Sequence, residues 1–310
     1  MRRPLVAAML VTGVLTASCS PSNDPAPADS AGEVVTSTSI LADVASDIVG
    51  CGGGTTTALI PAGADPHDFA PSSDQVAQLV RADLVVVNGL GLEPGLQGGL
   101  DTAAADGARI LAVGESIDPI PVEGADPDHA DDHGAFDPHF WLDMKRMATA
   151  ATTIGDALAE TTGQDSYRSC AQQTADRILK AEEGVHAQLE SVPAAQRVLV
   201  TDHEALGYLA DAYGYDIVGT VIPAATTLAE PSSADLAALT AKIREERVPA
   251  IFSNAGQPTA LADAVAAESG ADVEVVPLYV ESLGAPGSPA DNYIGMMQEN
   301  ARLISEALGG

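Results

Sequence analysis

The chain has 310 residues, with 14 Lys and Arg against 44 Asp and Glu, for a formal net charge of −30. A phosphate binder needs a basic face, so nucleic acid is excluded as a partner. The hydrophobic share of 46% supplies a core for one large or two ordinary domains, while 4% aromatics leave little for stacking on bases or sugars.

Taken in chain order, residues 1–18 read as a secretory signal. Arg2 and Arg3 precede an apolar run from Leu5 to Leu15, and Leu15-Thr-Ala-Ser-Cys19 has the form of a lipobox. The run is too short to span a bilayer. Cys19 is therefore expected to begin the mature chain and carry a lipid. Residues 19–32, rich in Pro, Ser, Ala and Asp, read as a flexible tether. The expected location is extracytoplasmic, anchored to the cell membrane.

Beyond the tether, strand-like and helix-like segments alternate. Glu33–Ile40 is β-rich, Leu41–Val49 has helical spacing, and Thr55–Ile60 is a second strand. Pro71-Ser-Ser-Asp opens a helix with Val76, Leu79 and Val80 on one face. Asp83–Asn88 is an apolar run of the kind buried on both faces of a parallel sheet. Arg109–Val113 is a further strand, and a helix is expected over 143–160. A long helical pattern covers 164–191, after which strands near 197–201, 215–221, 250–253 and 273–278 alternate with helices. Such alternation predicts an α/β fold of two lobes with parallel sheets covered by helices. The expected divisions are an N-terminal lobe over 33–163, a bridging helix over 164–191 and a C-terminal lobe over 192–310.

Three of the six histidines lie in turns at strand or helix ends: His67 in Ala-Asp-Pro-His, His139 in Asp-Pro-His-Phe-Trp, and His203 in Thr-Asp-His-Glu. Ligands of open α/β sheets bind beyond the carboxyl ends of the strands. Glu281, after the strand VEVVPLY, takes a similar place in the second half. Two donors from each lobe would put a cation in the cleft between them. Three imidazoles and one carboxylate suit tetrahedral Zn²⁺, whereas harder cations favour more oxygen. A single histidine carries little weight, but the proline before His67 and before His139 fixes the backbone where the imidazole leaves it.

The segments GADPHDFAPSSDQVAQL (63–79), DPHFWLDM (137–144), TDHEALGYLADAYG (201–214) and LAEPS (228–232) carry a resemblance. Together they resemble the metal-specific solute-binding lipoproteins of ABC importers, the zinc/manganese class, over residues 33–308. The resemblance implies two α/β lobes joined by a rigid helix, modest closure on metal, and an ABC permease as partner. It implies that His67, His139 and His203 ligate the metal, the third being His in zinc-type members and Glu in many manganese-type members. The fourth ligand of the class is usually Asp. Here Glu281 in YVESLG stands at that place, one methylene longer, with Asp291 the nearest alternative. The expected cargo is Zn²⁺, with Mn²⁺ or Fe²⁺ as the alternative within the class, and the expected state is a monomer.

Other features have plainer readings. The stretch 126–137 holds His129 and His133 among aspartates, and reads equally as a secondary metal-capture loop or as a solvated acidic loop. His186 reads as a surface residue and Trp141 as packing. Cys51 and Cys170 allow one disulfide in an oxidising compartment, the alternative being two buried thiols. No G-x-S-x-G elbow accompanies Asp202, His203 and Glu204, and the glycines near 52–54 and 89–99 lack the dinucleotide-binding order. A zinc hydrolase and a surface adhesin are the rival classes; four protein ligands leave no open position for a catalytic water. With ordinary histidines, metal affinity would fall below about pH 6.5.

Overall fold

A computed structural model describes residues 32–122, 135–270 and 272–309. The signal segment, Cys19, most of the tether, His129 and His133 lie outside the described residues. The first half contains β1 (Glu33–Thr36), α1 (Ser39–Cys51), β2 (Thr55–Ala58), α2 (Ser73–Arg81), β3 (Leu84–Val87), α3 (Gln97–Ala105) and β4 (Ile110–Ala112). Two long helices follow, α4 (Met144–Thr162) and α5 (Ser166–Glu190). The second half contains β5 (Val198–Thr201), α6 (Gly207–Tyr213), β6 (Asp216–Thr220), α7 (Ser233–Glu246), β7 (Ala250–Asn254), α8 (Ala260–Ser269), β8 (Glu274–Leu278) and α9 (Tyr293–Ala307).

Each half builds a four-stranded, wholly parallel sheet, in the orders β2-β1-β3-β4 and β6-β5-β7-β8. The two orders are the same pattern repeated. In each, the order of strands reverses at the middle pair, β1/β3 and β5/β7, which opens a crevice at the carboxyl ends of those strands.

Local chemistry explains most boundaries. α2 starts with a capping box, in which Ser72 accepts from Gln75 N–H and the Gln75 side chain accepts from Ser72 N–H. α4 starts at Asp143, whose carboxylate accepts from Lys145 N–H, and stops at Gly163 with φ of 75°. The first strand is shorter than its β-rich composition suggests. Thr38 accepts from Leu41 N–H and opens α1 at Ser39, so β1 ends at Thr36. α3 was hidden by its glycines. A Cβ at Gly99 would stand 3.3 Å from Val76 and 3.5 Å from Leu79, so the glycine lets α3 lie close on α2.

Strand alternation divides the apolar residues into three groups. Val34, Leu84 and Val86 of the first sheet and Leu199, Ala250, Phe252 and Leu278 of the second join α1, α4, α5 and α9 in one continuous core. The opposite faces are covered separately. Val35, Val85 and Val87 pack under α2 and α3, and Val200 and Ile251 under α7 and α8. At Gly155 of α4 a Cβ would come within 2.2 Å of the Ala171 Cβ of α5, so these helices touch backbone to backbone. The shared core makes the two sheets parts of one packed body. Among the described residues, no helix is long and apolar enough to cross a membrane.

Cys51, the last residue of α1, is bonded to Cys170 in the second turn of α5, with Cα atoms 6.4 Å apart. The bridge ties the first lobe to the long helix and closes a loop with a sequence separation of 119. A loop of that size corresponds to about 4–5 kcal/mol in the chain-entropy account. Replacing both cysteines by alanine should therefore lower the melting temperature by roughly 10 °C. Peptide mapping of the unreduced protein should recover a linked pair, and two freely alkylatable thiols at these positions would contradict the bridge.

Candidate metal centre

The donors start from three acidic turns. In Asp65-Pro66-His67, Asp65 Oδ1 accepts from His67 N–H at 2.9 Å. Asp137-Pro138-His139 repeats the turn, with Asp137 Oδ1 accepting from His139 N–H at 2.9 Å. In the second lobe Asp202 Oδ1 accepts from His203 N–H at 2.8 Å, directly after β5. A short acid that bonds the backbone ahead of it is a local turn former, and proline removes the backbone freedom between acid and histidine.

Two of these carboxylates also orient a ring. His139 Nδ1 lies 2.7 Å from Asp137 Oδ1, and His203 Nδ1 lies 2.9 Å from Asp202 Oδ1. Each leaves Nε2 facing inward, the arrangement by which an outer carboxylate fixes a metal-binding imidazole. Glu281, three residues after β8, completes the group. Its Oε1 is 3.0 Å from His203 Nε2, 3.2 Å from His139 Nε2 and 3.8 Å from His67 Nε2. His139 Nε2 and His67 Nε2 are 3.4 Å apart. One donor atom from each of the four residues lies within 4.8 Å of all the others, and all four side chains are buried.

These separations have a chemical meaning. A tetrahedral zinc with bonds of about 2.0–2.1 Å separates its ligand atoms by roughly 3.3 Å. Three of the Nε2 and Oε1 separations, 3.0, 3.2 and 3.4 Å, bracket that value, and the 3.8 Å between His67 and Glu281 lies above it. Glu281 Oε2 is buried and has no hydrogen-bond partner among the described residues. Burying an unpaired carboxylate oxygen is costly, and a divalent cation on the cluster would satisfy it.

The charges are strongly coupled. Burial pushes the His139 imidazole down, but Glu281 and Asp137 outweigh it and raise its pKa to about 9. Burial likewise opposes charge on His203, and hydrogen bonds to Asp202 and Glu281 overcome it, raising its pKa to about 10. Burial alone would raise Glu281; the surrounding histidines, His139 foremost, instead hold it well below the usual carboxylate range. Protons and a cation would therefore compete for the same imidazole nitrogens.

Several buried groups hold the donors in place. Trp141 Nε1 donates to the Val280 carbonyl at 2.7 Å, tying the His139 loop to the residue before Glu281. Tyr208 OH donates to the Asp137 carbonyl at 2.9 Å. Asn88 Nδ2 donates to the Pro138 carbonyl at 2.9 Å, and Glu93 accepts from Asn88 N–H at 2.8 Å. Asn88 and Glu93 escaped the sequence reading. Their signal is an amide closing an all-apolar strand and an acid in a glycine-rich turn, and both are common without a site. Trp141, expected as packing, is buried and also supplies this hydrogen bond. Asp291 is elsewhere: its carboxylate accepts from Gly287 N–H and Asn292 Nδ2. His186 is part-exposed on α5 between Glu182 and Glu190.

A buried three-histidine, one-carboxylate cluster between two α/β lobes has the donor set of a metal-binding protein. The family model described as "Zinc-uptake complex component A periplasmic" matches residues 34–307. The chain belongs to this ZnuA family, whose members are solute-binding proteins and not enzymes. It is 30% identical over 295 residues to the manganese-binding lipoprotein MntA of Halalkalibacterium halodurans, covering 94% of each chain. It is 30% identical over 320 residues to the zinc-binding protein TroA of Treponema pallidum, covering 99% of each. The solved structure of the latter, a periplasmic zinc binding protein, superposes with a TM-score of 0.80 at 29% identity, covering 89% of this chain and 99% of that one. A Mn-bound periplasmic metal binding protein from candidatus liberibacter asiaticus gives 0.77 at 25% identity, with 89% and 99% covered.

The raised histidines move the pH window upward from the ordinary imidazole value. A cation that took Nε2 of His139 and His203 would have to displace protons held up to about pH 9 and 10 on them. Loading at pH 7.5 should release about two protons, seen as a dependence of calorimetric heat on buffer ionisation enthalpy, and affinity should keep rising toward pH 9. The metal-free protein should show the matching stability. The histidine contribution is full below the unfolded value of about 6.5 and is lost as pH rises through 9 to 10. Heats independent of buffer would contradict this account.

Proposed function

We propose that this protein captures Zn²⁺ outside the cytoplasmic membrane and hands it to the permease of an ABC importer. His67, His139 and His203 would each give Nε2 to the metal, and Glu281 one or both carboxylate oxygens. The observation that carries this reading is the convergence of four buried donor atoms within 4.8 Å of one another, beside a carboxylate oxygen that lacks a partner among the described residues. Three neutral imidazoles favour zinc over harder cations. Manganese is the second reading, because Glu281 Oε2 could supply a fifth donor and named relatives include proteins that bind either metal.

The lipobox at Cys19 and the relatives named as lipoproteins support a lipid anchor on that residue. We further propose that the protein works as a monomer, in which lobes 33–163 and 192–310 remain joined through the 164–191 region. The continuous core supports small lobe movements rather than a wide hinge.

Calorimetric titrations decide the ligand set. His67→Ala, His139→Ala, His203→Ala and Glu281→Ala should each weaken zinc binding by more than the 10–100-fold typical of losing an outer partner. The double variant His129→Ala with His133→Ala should keep the tight site and change only weak extra binding or loading. Loss of tight binding in that double variant, with His203→Ala still tight, would overturn the assignment. Competition between equimolar Zn²⁺ and Mn²⁺ should leave zinc bound.

A further inference from the structure

The loop that carries His67 leaves the first lobe and rests on the second. Asp65 shows the change most directly. Its Oδ1 holds His67 N–H, while its Oδ2 accepts from Thr227 Oγ1 at 2.7 Å and from Gln257 Nε2 at 3.3 Å. Thr227 belongs to the segment between β6 and α7, and Gln257 to the turn between β7 and α8. Two residues earlier, Gly63 N–H donates to Ser282 Oγ at 2.6 Å, and Ser282 follows Glu281. Gly256, with φ of +95°, brings its backbone against Gly63: a Cβ there would stand 3.4 Å from the Gly63 carbonyl oxygen. Three segments of the second lobe therefore hold one short stretch of the first. By contrast, the His139 turn is held through Asp137 and Asn88 of its own lobe, with Tyr208 and Trp141 reaching across.

Resting on the ligand assignment above, we infer that Asp65 is a positioning residue that latches His67 to the second lobe through Thr227 and Gln257, and that this latch sets how slowly metal leaves. One carboxylate joins two events. Its first oxygen fixes the backbone from which the imidazole projects, and its second reports whether the other lobe is in place. Parting of the lobes breaks the Oδ2 bonds, frees the Asp65 turn and withdraws one of the four donors. Metal entry needs only the open arrangement, so the latch acts on release and not on capture. Hydrogen bonds to a charged acceptor are stronger than neutral ones, and losing two of them should speed release roughly tenfold.

Stopped-flow release of zinc into excess chelator, together with the association rate, tests the latch. Thr227→Val and Gln257→Leu remove the donors at nearly constant volume and leave the Asp65–His67 turn intact. The pair should release zinc roughly tenfold faster, with association within about twofold of the wild type. Asp65→Ala should release at least as fast, and adding the pair to Asp65→Ala should bring no further increase, because one shared interaction is already gone. Asp65→Asn, which keeps the acceptor for His67 N–H and can still bond Thr227 Oγ1, should fall between. Release at the wild-type rate from the Thr227/Gln257 pair, with Asp65→Ala fast, would confine Asp65 to its own turn and overturn the latch. Additive effects would overturn it equally. Wild-type protein that held no zinc would instead remove the ligand assignment, and the latch with it.

Discussion

A carboxylate buried among three imidazoles is the constraint on which the site depends. Glu281 is 3% exposed, and one of its oxygens has no hydrogen-bond partner among the described residues. Such a group is tolerable only with compensating positive charge. Without metal, protons on His139 and His203 would supply it, and a divalent cation on the cluster would supply it in their place. The same charge coupling that raises His139 and His203 lowers Glu281, so these three groups titrate as one coupled unit and not independently.

The fold delivers these donors from opposite directions with little freedom. Both sheets have the same strand order, and each opens its crevice where the order reverses. His203 follows β5 and Glu281 follows β8 in one lobe, while His67 and His139 come from loops of the other. What fixes the distance between lobes is the core they share through α4 and α5, together with the Cys51–Cys170 bridge. Side-chain hydrogen bonds then refine the placement, Trp141 to Val280 and Asp65 to Thr227 across the cleft, Asn88 to Pro138 within one lobe. Rigidity at large scale and a few polar contacts at small scale are what a site needs if it is to hold metal tightly and still release it.

Much of this was legible in the residues. The alternation of apolar runs and capping signals predicted both sheets and the long helix, which runs over Ser166–Glu190. The three histidines stood out because each lies in a turn at a strand or helix end, and two follow a proline. Glu281 was legible only from its place after a strand and from resemblance, since no local pattern marks a single glutamate. The end of β1 was missed because a β-branched run continues past the point where Thr38 caps α1. α3 was missed because Gly98 and Gly99 mimic a loop, although Gly99 serves close helix packing. Contacts such as Asp65 with Thr227 and Gln257 join residues 162 and 192 positions apart. No periodicity encodes such a pair; only the folded topology brings them together.

X-ray absorption at the zinc edge of the loaded wild-type protein bears most directly on the central claim. A site built from His67, His139, His203 and Glu281 requires multiple-scattering features of three imidazoles and one or two oxygen neighbours near 2.0–2.2 Å, the usual range for zinc with nitrogen and oxygen donors. A first shell with sulfur, or with fewer than two imidazoles and mostly water oxygen, would show that the buried cluster is not where the metal binds.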